Sequence, residues 1–189
     1  MHLKNTATRP SYLLLALFVG IVVAATLLIS VVLAESASDY TALSHVNTAA
    51  PVQTRQVITI NAPAAQVWRI MTDVNRWASW QKDISQPRMH DAFLAHNSFD
   101  WKSGGLSIHS TLSVVTPNRK IIWSGPALGS FAIHSWTFSE HDGVTEVEVR
   151  ESMDGWLVRL ARPIFQKGLD TSIVYWLQAL KQAAEPPVQ

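Results

Sequence analysis

The chain has 189 residues, of which 48% are hydrophobic and 15% charged, with 15 Lys+Arg against 14 Asp+Glu and no cysteine. So balanced a charge offers no clustered cationic surface of the kind phosphate recognition needs, which excludes nucleic acid as a partner. The lack of cysteine excludes disulfides, thiol nucleophiles and zinc–thiolate sites, so stability must come from a buried core.

In chain order, the first feature is a basic N-terminal segment, residues 1–11, carrying Lys4 and Arg9. The uncharged run YLLLALFVGIVVAATLLISVVLA extends from Tyr12 to Ala34. As a helix at ~1.5 Å per residue it is about 34 Å long, a little more than the ~30 Å hydrocarbon core of a bilayer, and it reads as a transmembrane helix. The alternative is a cleaved signal peptide, with Val32-Leu33-Ala34 as the cleavage site, but the apolar run exceeds the usual ~7–15 residues of such a segment. Both readings export the remainder of the chain. Lys4 and Arg9 precede the span while Glu35 and Asp39 lie beyond it, so the positive-inside rule predicts a single-pass protein whose N-terminus is cytoplasmic. Its domain would then be periplasmic or on the cell surface. Two of the 15 basic residues and none of the 14 acidic ones lie before Glu35, so the exported part carries 13 against 14.

Residues 35–53, ESASDYTALSHVNTAAPVQ, hold no sustained period of 2 or 3.6 and are expected to form a linker. The folded domain is expected over 54–185, with 186–189 as a frayed tail. Inside it, RQVITIN alternates as a strand, and Asn61-Ala62-Pro63 offers a capping residue and a proline suited to a helix's first turn. Val67, Ile70, Met71 and Val74 then repeat at helical spacing beside Trp68, and a short helix through Trp77 and Trp80 is expected next. From Phe99 to Met153 the pattern is alternation broken by turn signals, as in antiparallel hairpins. From Trp156 to Ala184 helical spacing returns, with Phe165, Leu169, Ile173, Trp176, Leu177 and Leu180 on one stripe. Pro163 should start this helix or kink it near Ala161. One strand, a helical pair, about six hairpin strands and a long amphipathic helix is an α+β order.

Four stretches, VITINAPAAQVWRIMTDVNRWASW, TLSVVTPNRKIIWSG, HSWTFSEHDGVTEVEVRES and LQALKQAAE, together resemble the polyketide cyclase/dehydrase family of the SRPBCC superfamily, related to START lipid-transfer domains. The likeness covers Arg55 to Glu185. It implies a helix-grip fold, a curved antiparallel sheet around the long C-terminal helix with an apolar cavity between them. It implies also that the early helical pair closes one end of the sheet, with Trp77 and Trp80 near the cavity rim. That superfamily includes lipid carriers, hormone-binding proteins and aromatase/cyclases, so the resemblance leaves the chemistry open.

Alternation predicts which residues face that cavity, because residues two apart in a strand share a face. The inward sets are Ala132, His134, Trp136, Phe138 on one strand and Val147, Val149, Glu151, Met153 on the next. A third is Leu106, Ile108, Ser110, Leu112, Val114, in which Ser110 is the only polar member. Asp142-Gly143 is a two-residue type I′ hairpin signal, which sets His134 directly across from Glu151; a four-residue loop, Glu140–Gly143, would make them diagonal neighbours. Either register leaves the two within side-chain reach. Trp101, Trp123, Trp136 and Met153 are expected as apolar lining, and His134 with Glu151 as polar anchor, acid/base couple or structural hydrogen bond.

No cofactor and no metal site is expected. His90 and His96 lie six apart with Asp91 between them, His109 falls on an outer strand face, and zinc usually needs three or four converging ligands. A Gly-x-Ser-x-Gly elbow and a Gly-rich phosphate loop are both absent from the sequence. Three functions remain. The first is an exported, membrane-anchored domain that binds an apolar small molecule or lipid. The second is a cyclase/dehydratase-type enzyme using a His/Glu acid–base pair. The third is a structural or interaction domain, of unidentified protein partner, whose core is filled by its own tryptophans.

Overall fold

The computed structural model describes residues 11–41 and 43–185. Lys4, Arg9 and the expected tail, 186–189, lie outside the described residues. The chain divides into two units, Met1–Ala37 and Ser38–Gln189.

In the first unit, α1 runs from Ser11 to Ser36, two residues past the expected end. Among the described residues it is the one helix long and apolar enough to cross a membrane, with a mean hydropathy of 2.9 and none of it buried. A core helix would be covered on at least one face, so length, composition and exposure fit a membrane span or signal sequence. The hydroxyls of Thr26, Ser30 and Ser36 donate to the carbonyls of Val22, Thr26 and Val32. Their polarity is thereby satisfied without water, which hydrocarbon would require.

The second unit is a seven-stranded antiparallel sheet with a helical layer. Its elements are β1 (Val52–Ile60), α2 (Ala64–Thr72), a 3₁₀ turn (Val74–Arg76), α3 (Trp77–Trp80), β2 (Ile84–Met89) and β3 (Ser98–Ser103), then β4 (Leu106–Thr116), β5 (Lys120–Ala127), β6 (Ser130–His141), β7 (Val144–Asp154), α4 (Trp156–Leu160) and α5 (Arg162–Ala184). The strand order is β1-β7-β6-β5-β4-β3-β2. The first two strands form the two edges, and the α2–α3 connection crosses the whole sheet between them. Pro163 stands at the start of α5, after a break at Ala161, as its fixed φ and missing N–H require. Leu169, Ile173, Trp176, Leu177 and Leu180 of α5 are buried in the core.

Three local features differ from expectation. Asn61 does not cap α2: the N-cap position is Pro63, which has no side-chain donor or acceptor, and Glu140 Oε2 of β6 accepts from Ala64 N at 2.7 Å instead. A bulge in β4 lies between Leu112 and Val114, so Val115 pairs with inward-facing Ile121 while Val114 pairs with Ile122. One extra residue reverses the alternation beyond it, and Val115 rather than Val114 packs on the core. Residues 38–41 and 43–50, expected as part of a free linker, lie against the sheet. Tyr40 stacks on Phe131 at 5.6 Å, Ser113 Oγ donates to Leu43 O, and Asn47 N donates to Ser152 Oγ. This strap lies beside Ile133 and Ser152, which face away from α5 yet are buried. A segment without periodicity can still pack, because its partner is a sheet face rather than its own helix.

Gly125 of β5 sits where the β4 backbone closes on it: a Cβ there would meet the His109 carbonyl oxygen at 2.1 Å. Backbone cannot step aside as a side chain tip can, so Gly125→Ala is expected to destabilise the unit by about 2 kcal/mol or more. Urea unfolding measures it, and an unchanged midpoint would show that the strands do not approach this closely.

Candidate functional site

The space between α5 and the sheet is divided in two. One part is solid aromatic. Trp77 is buried, donates Nε1–H to Met71 O at 2.9 Å, and meets Phe99, Trp101 and Trp176 edge-on at 5.3, 6.1 and 5.1 Å. Trp123 and Trp136 stack at 5.9 Å, and Trp80 meets Trp176 edge-on at 5.6 Å. These offset and T-shaped geometries are those the ring quadrupole favours.

The other part is a cavity of about 270 Å³. It persists because small residues face one another across it. On α5 these are Gly168 and Ser172, and on the sheet Gly125, Ala127, Ser130 and Ala132. Trp101, Leu106, Ile108, Met153, Phe165, Leu169, Ile173 and Trp176 complete an apolar lining, with His134 and Glu151 as its ionisable members. A shallower groove of about 860 Å³ shares Ser103, Ile164, Gly168 and Ser172 with the cavity, which makes it the vestibule. It contains none of the aromatic lining and neither member of the ionisable pair.

The hairpin register brings the pair together. Asp142 and Gly143 have φ of 52° and 78°, the two positive values of a type I′ turn, so His141 pairs with Val144 and His134 with Glu151. Their side chains are 12% and 4% exposed, with Nδ1 2.7 Å from Oε2. The approach is close but badly aligned, and Glu151 Oε2 is left without a hydrogen-bond donor. Trp123 stacks flat on the imidazole at 5.0 Å and Trp101 meets it edge-on at 6.3 Å, which fixes the ring plane.

Of the residues singled out in the sequence, Trp101, His134, Glu151 and Met153 therefore line the cavity, and four do not. Ser110 is buried behind Trp101 and accepts its Nε1–H at 3.0 Å. Trp123 lies behind His134, Trp136 is in the aromatic cluster, and Trp80 is half-buried at the far side of Trp176. Alternation assigns a face correctly but not a depth along the strand. The lining that sequence reasoning missed is the small-residue set. Its legible trace was Gly168 and Ser172, one helical turn apart beside the apolar stripe of α5.

A family model described as polyketide cyclase/dehydrase and lipid transport matches residues 51–185. No curated protein matches the chain. Among solved structures, a hypothetical protein of Helicobacter pylori is 15% identical, with a TM-score of 0.64 over 78% of this chain and 100% of its own. An aromatase/cyclase of Streptomyces sp. R1128 is 16% identical, with a TM-score of 0.64 over 72% of this chain and 95% of its own. A START superfamily protein of Mycobacterium smegmatis is 11% identical, with a TM-score of 0.61 over 70% and 96%. At these identities the likeness is one of fold.

Glu151 and His134 line a cavity large enough to admit several waters. Glu151→Gln is expected to change stability by less than about 1 kcal/mol and Glu151→Ala by about 1–2, because water replaces the lost partner. Chemical unfolding of both variants checks this. A loss of ~3–5 kcal/mol, the cost of breaking a dry buried pair, would mean that the groups serve as a structural clasp.

Proposed function

Because the chain belongs to the polyketide cyclase/dehydrase and lipid-transport family, we propose that its folded unit binds an apolar small molecule or lipid in the cavity under α5, held at the membrane by α1 and exported from the cytoplasm. One observation carries the ligand reading: a cavity of about 270 Å³ under α5 has a mainly apolar lining into which two ionisable side chains, His134 and Glu151, are set. Polar groups set in an apolar wall favour a ligand that meets them with a hydrogen-bonding group of its own. The favoured ligand is therefore apolar with a hydroxyl or similar donor at its inner end. About 270 Å³ lies just below the usual ~300–1,000 Å³ of ligand pockets. A ring system or the end of a chain fills the cavity, and a longer molecule continues into the vestibule.

A second reading is an acid–base couple, favoured by the 2.7 Å His134–Glu151 approach beside a cavity and by a fold shared with a protein described as an aromatase/cyclase. In that case Glu151→Gln abolishes turnover of a bound carbonyl compound while binding persists, because the amide keeps the shape but not the proton transfer.

Gly168 provides the test of the cavity. A Cβ built there meets nothing within 4 Å, the residue lies within α5, and a helix gains ~0.5–1 kcal/mol when an interior glycine is replaced. In the fragment Ser38–Gln189, Gly168→Leu is expected to keep or raise the melting temperature and to abolish binding of an apolar fluorescent probe, followed by quenching of tryptophan emission. Undiminished binding by the variant would place the probe elsewhere. For the topology, protease added to spheroplasts of the producing cell should digest the folded unit and spare α1. Survival of the unit while the outer surface is digested would contradict export.

A further inference from the structure

On the sheet face opposite α5, away from the cavity, three side chains from different strands converge. Asp100 of β3 stands directly across from His109 of β4, and His90 comes just after the last residue of β2, its N–H bonded to Ser98 O as a continuation of the ladder. His109 Nδ1 is 2.7 Å from Asp100 Oδ1, and His90 Nε2 is 2.6 Å from Oδ2. The three ligand-type atoms all lie within 4.8 Å of one another. The side chains of His90, Asp100 and His109 are 36%, 48% and 56% exposed, and exposed ion pairs contribute little to stability, so folding gives a weak reason for the arrangement.

We propose that His90, Asp100 and His109 form a surface site for a divalent transition-metal ion of the zinc type, bound by two imidazole nitrogens and one carboxylate with water in the open position. The donor set fits such an ion: imidazole suits zinc, copper and nickel, whereas calcium and magnesium require more oxygen ligands. Three protein ligands plus water is a common four-coordinate zinc arrangement. Ligand separations below 4.8 Å let one ion, ~2.0–2.2 Å from each donor, reach all three after small side-chain rotations. The platform is rigid, because Asp100 is held in register on both sides, by Arg88 of β2 and His109 of β4. Arg88 and Lys102 lie on the same sheet face and their charge opposes any divalent cation, so the two imidazoles and the carboxylate must supply the affinity. The site is independent of the cavity and of what the cavity binds.

The test is isothermal titration of full-length, tag-free protein in detergent micelles with zinc chloride in a non-chelating buffer. One ion per chain is expected. Asp100→Asn and His109→Ala should each weaken binding by about tenfold or more, since even outer-shell partners of metal ligands cost ~10–100-fold, while replacing His45, an exposed histidine outside the cluster, by Ala (His45→Ala) leaves it unchanged. Circular dichroism establishes that each exposed-site variant is folded. Two results overturn the proposal: no saturable binding by folded wild-type protein at millimolar zinc, or binding that both variants retain at full strength.

Discussion

The fold turns on how the space between α5 and the sheet is filled. Trp77, Trp101, Trp123, Trp136 and Trp176, with Phe99, form a continuous aromatic mass. Each ring buries on the order of 150–250 Å², so this cluster anchors the helix to the sheet without help from disulfides. Because it occupies one half of the interior, the other half need not be packed for stability. There the facing positions are Gly125, Ala127, Ala132, Gly168 and Ser172, and a cavity results. The self-filled core and the ligand cavity, alternatives in the sequence, are neighbouring halves of one interior.

The polar pair depends on the same division. Trp123 belongs to the cluster through Trp77 and Trp136, and from behind the cavity wall it stacks on His134. The solid half thus orients the imidazole that the open half presents. Glu151, from the neighbouring strand, brings its carboxyl to within 2.7 Å of that imidazole. Here it lies beside a space that water or a ligand can enter.

Much of this was legible in the sequence, because it rests on local rules. Asp142-Gly143 specifies its turn, the turn specifies register, and register sets His134 against Glu151. The stripe on α5 and the start at Pro163 come from helical period and proline geometry. Other features were out of reach for definite reasons. The bulge after Leu112 leaves no mark in the run Ser113-Val114-Val115. The cap on α2 comes from Glu140, 76 residues away. Residues 38–41 and 43–50 have no period because they trace the contours of a sheet. The convergence of His90 and His109 on Asp100 requires two strand registers at once, whereas linear spacing had paired His90 with His96.

An accessible, mainly apolar site in the open half of the interior should take up a small molecule of matching chemistry. The decisive experiment is native mass spectrometry of the fragment Ser38–Gln189, titrated with a short alkylphenol that offers both an apolar body and a hydroxyl donor. A saturable adduct of one molecule per chain is expected on the folded charge states. Bare protein mass at every concentration, with those charge states intact, would mean that the cavity is closed to ligand.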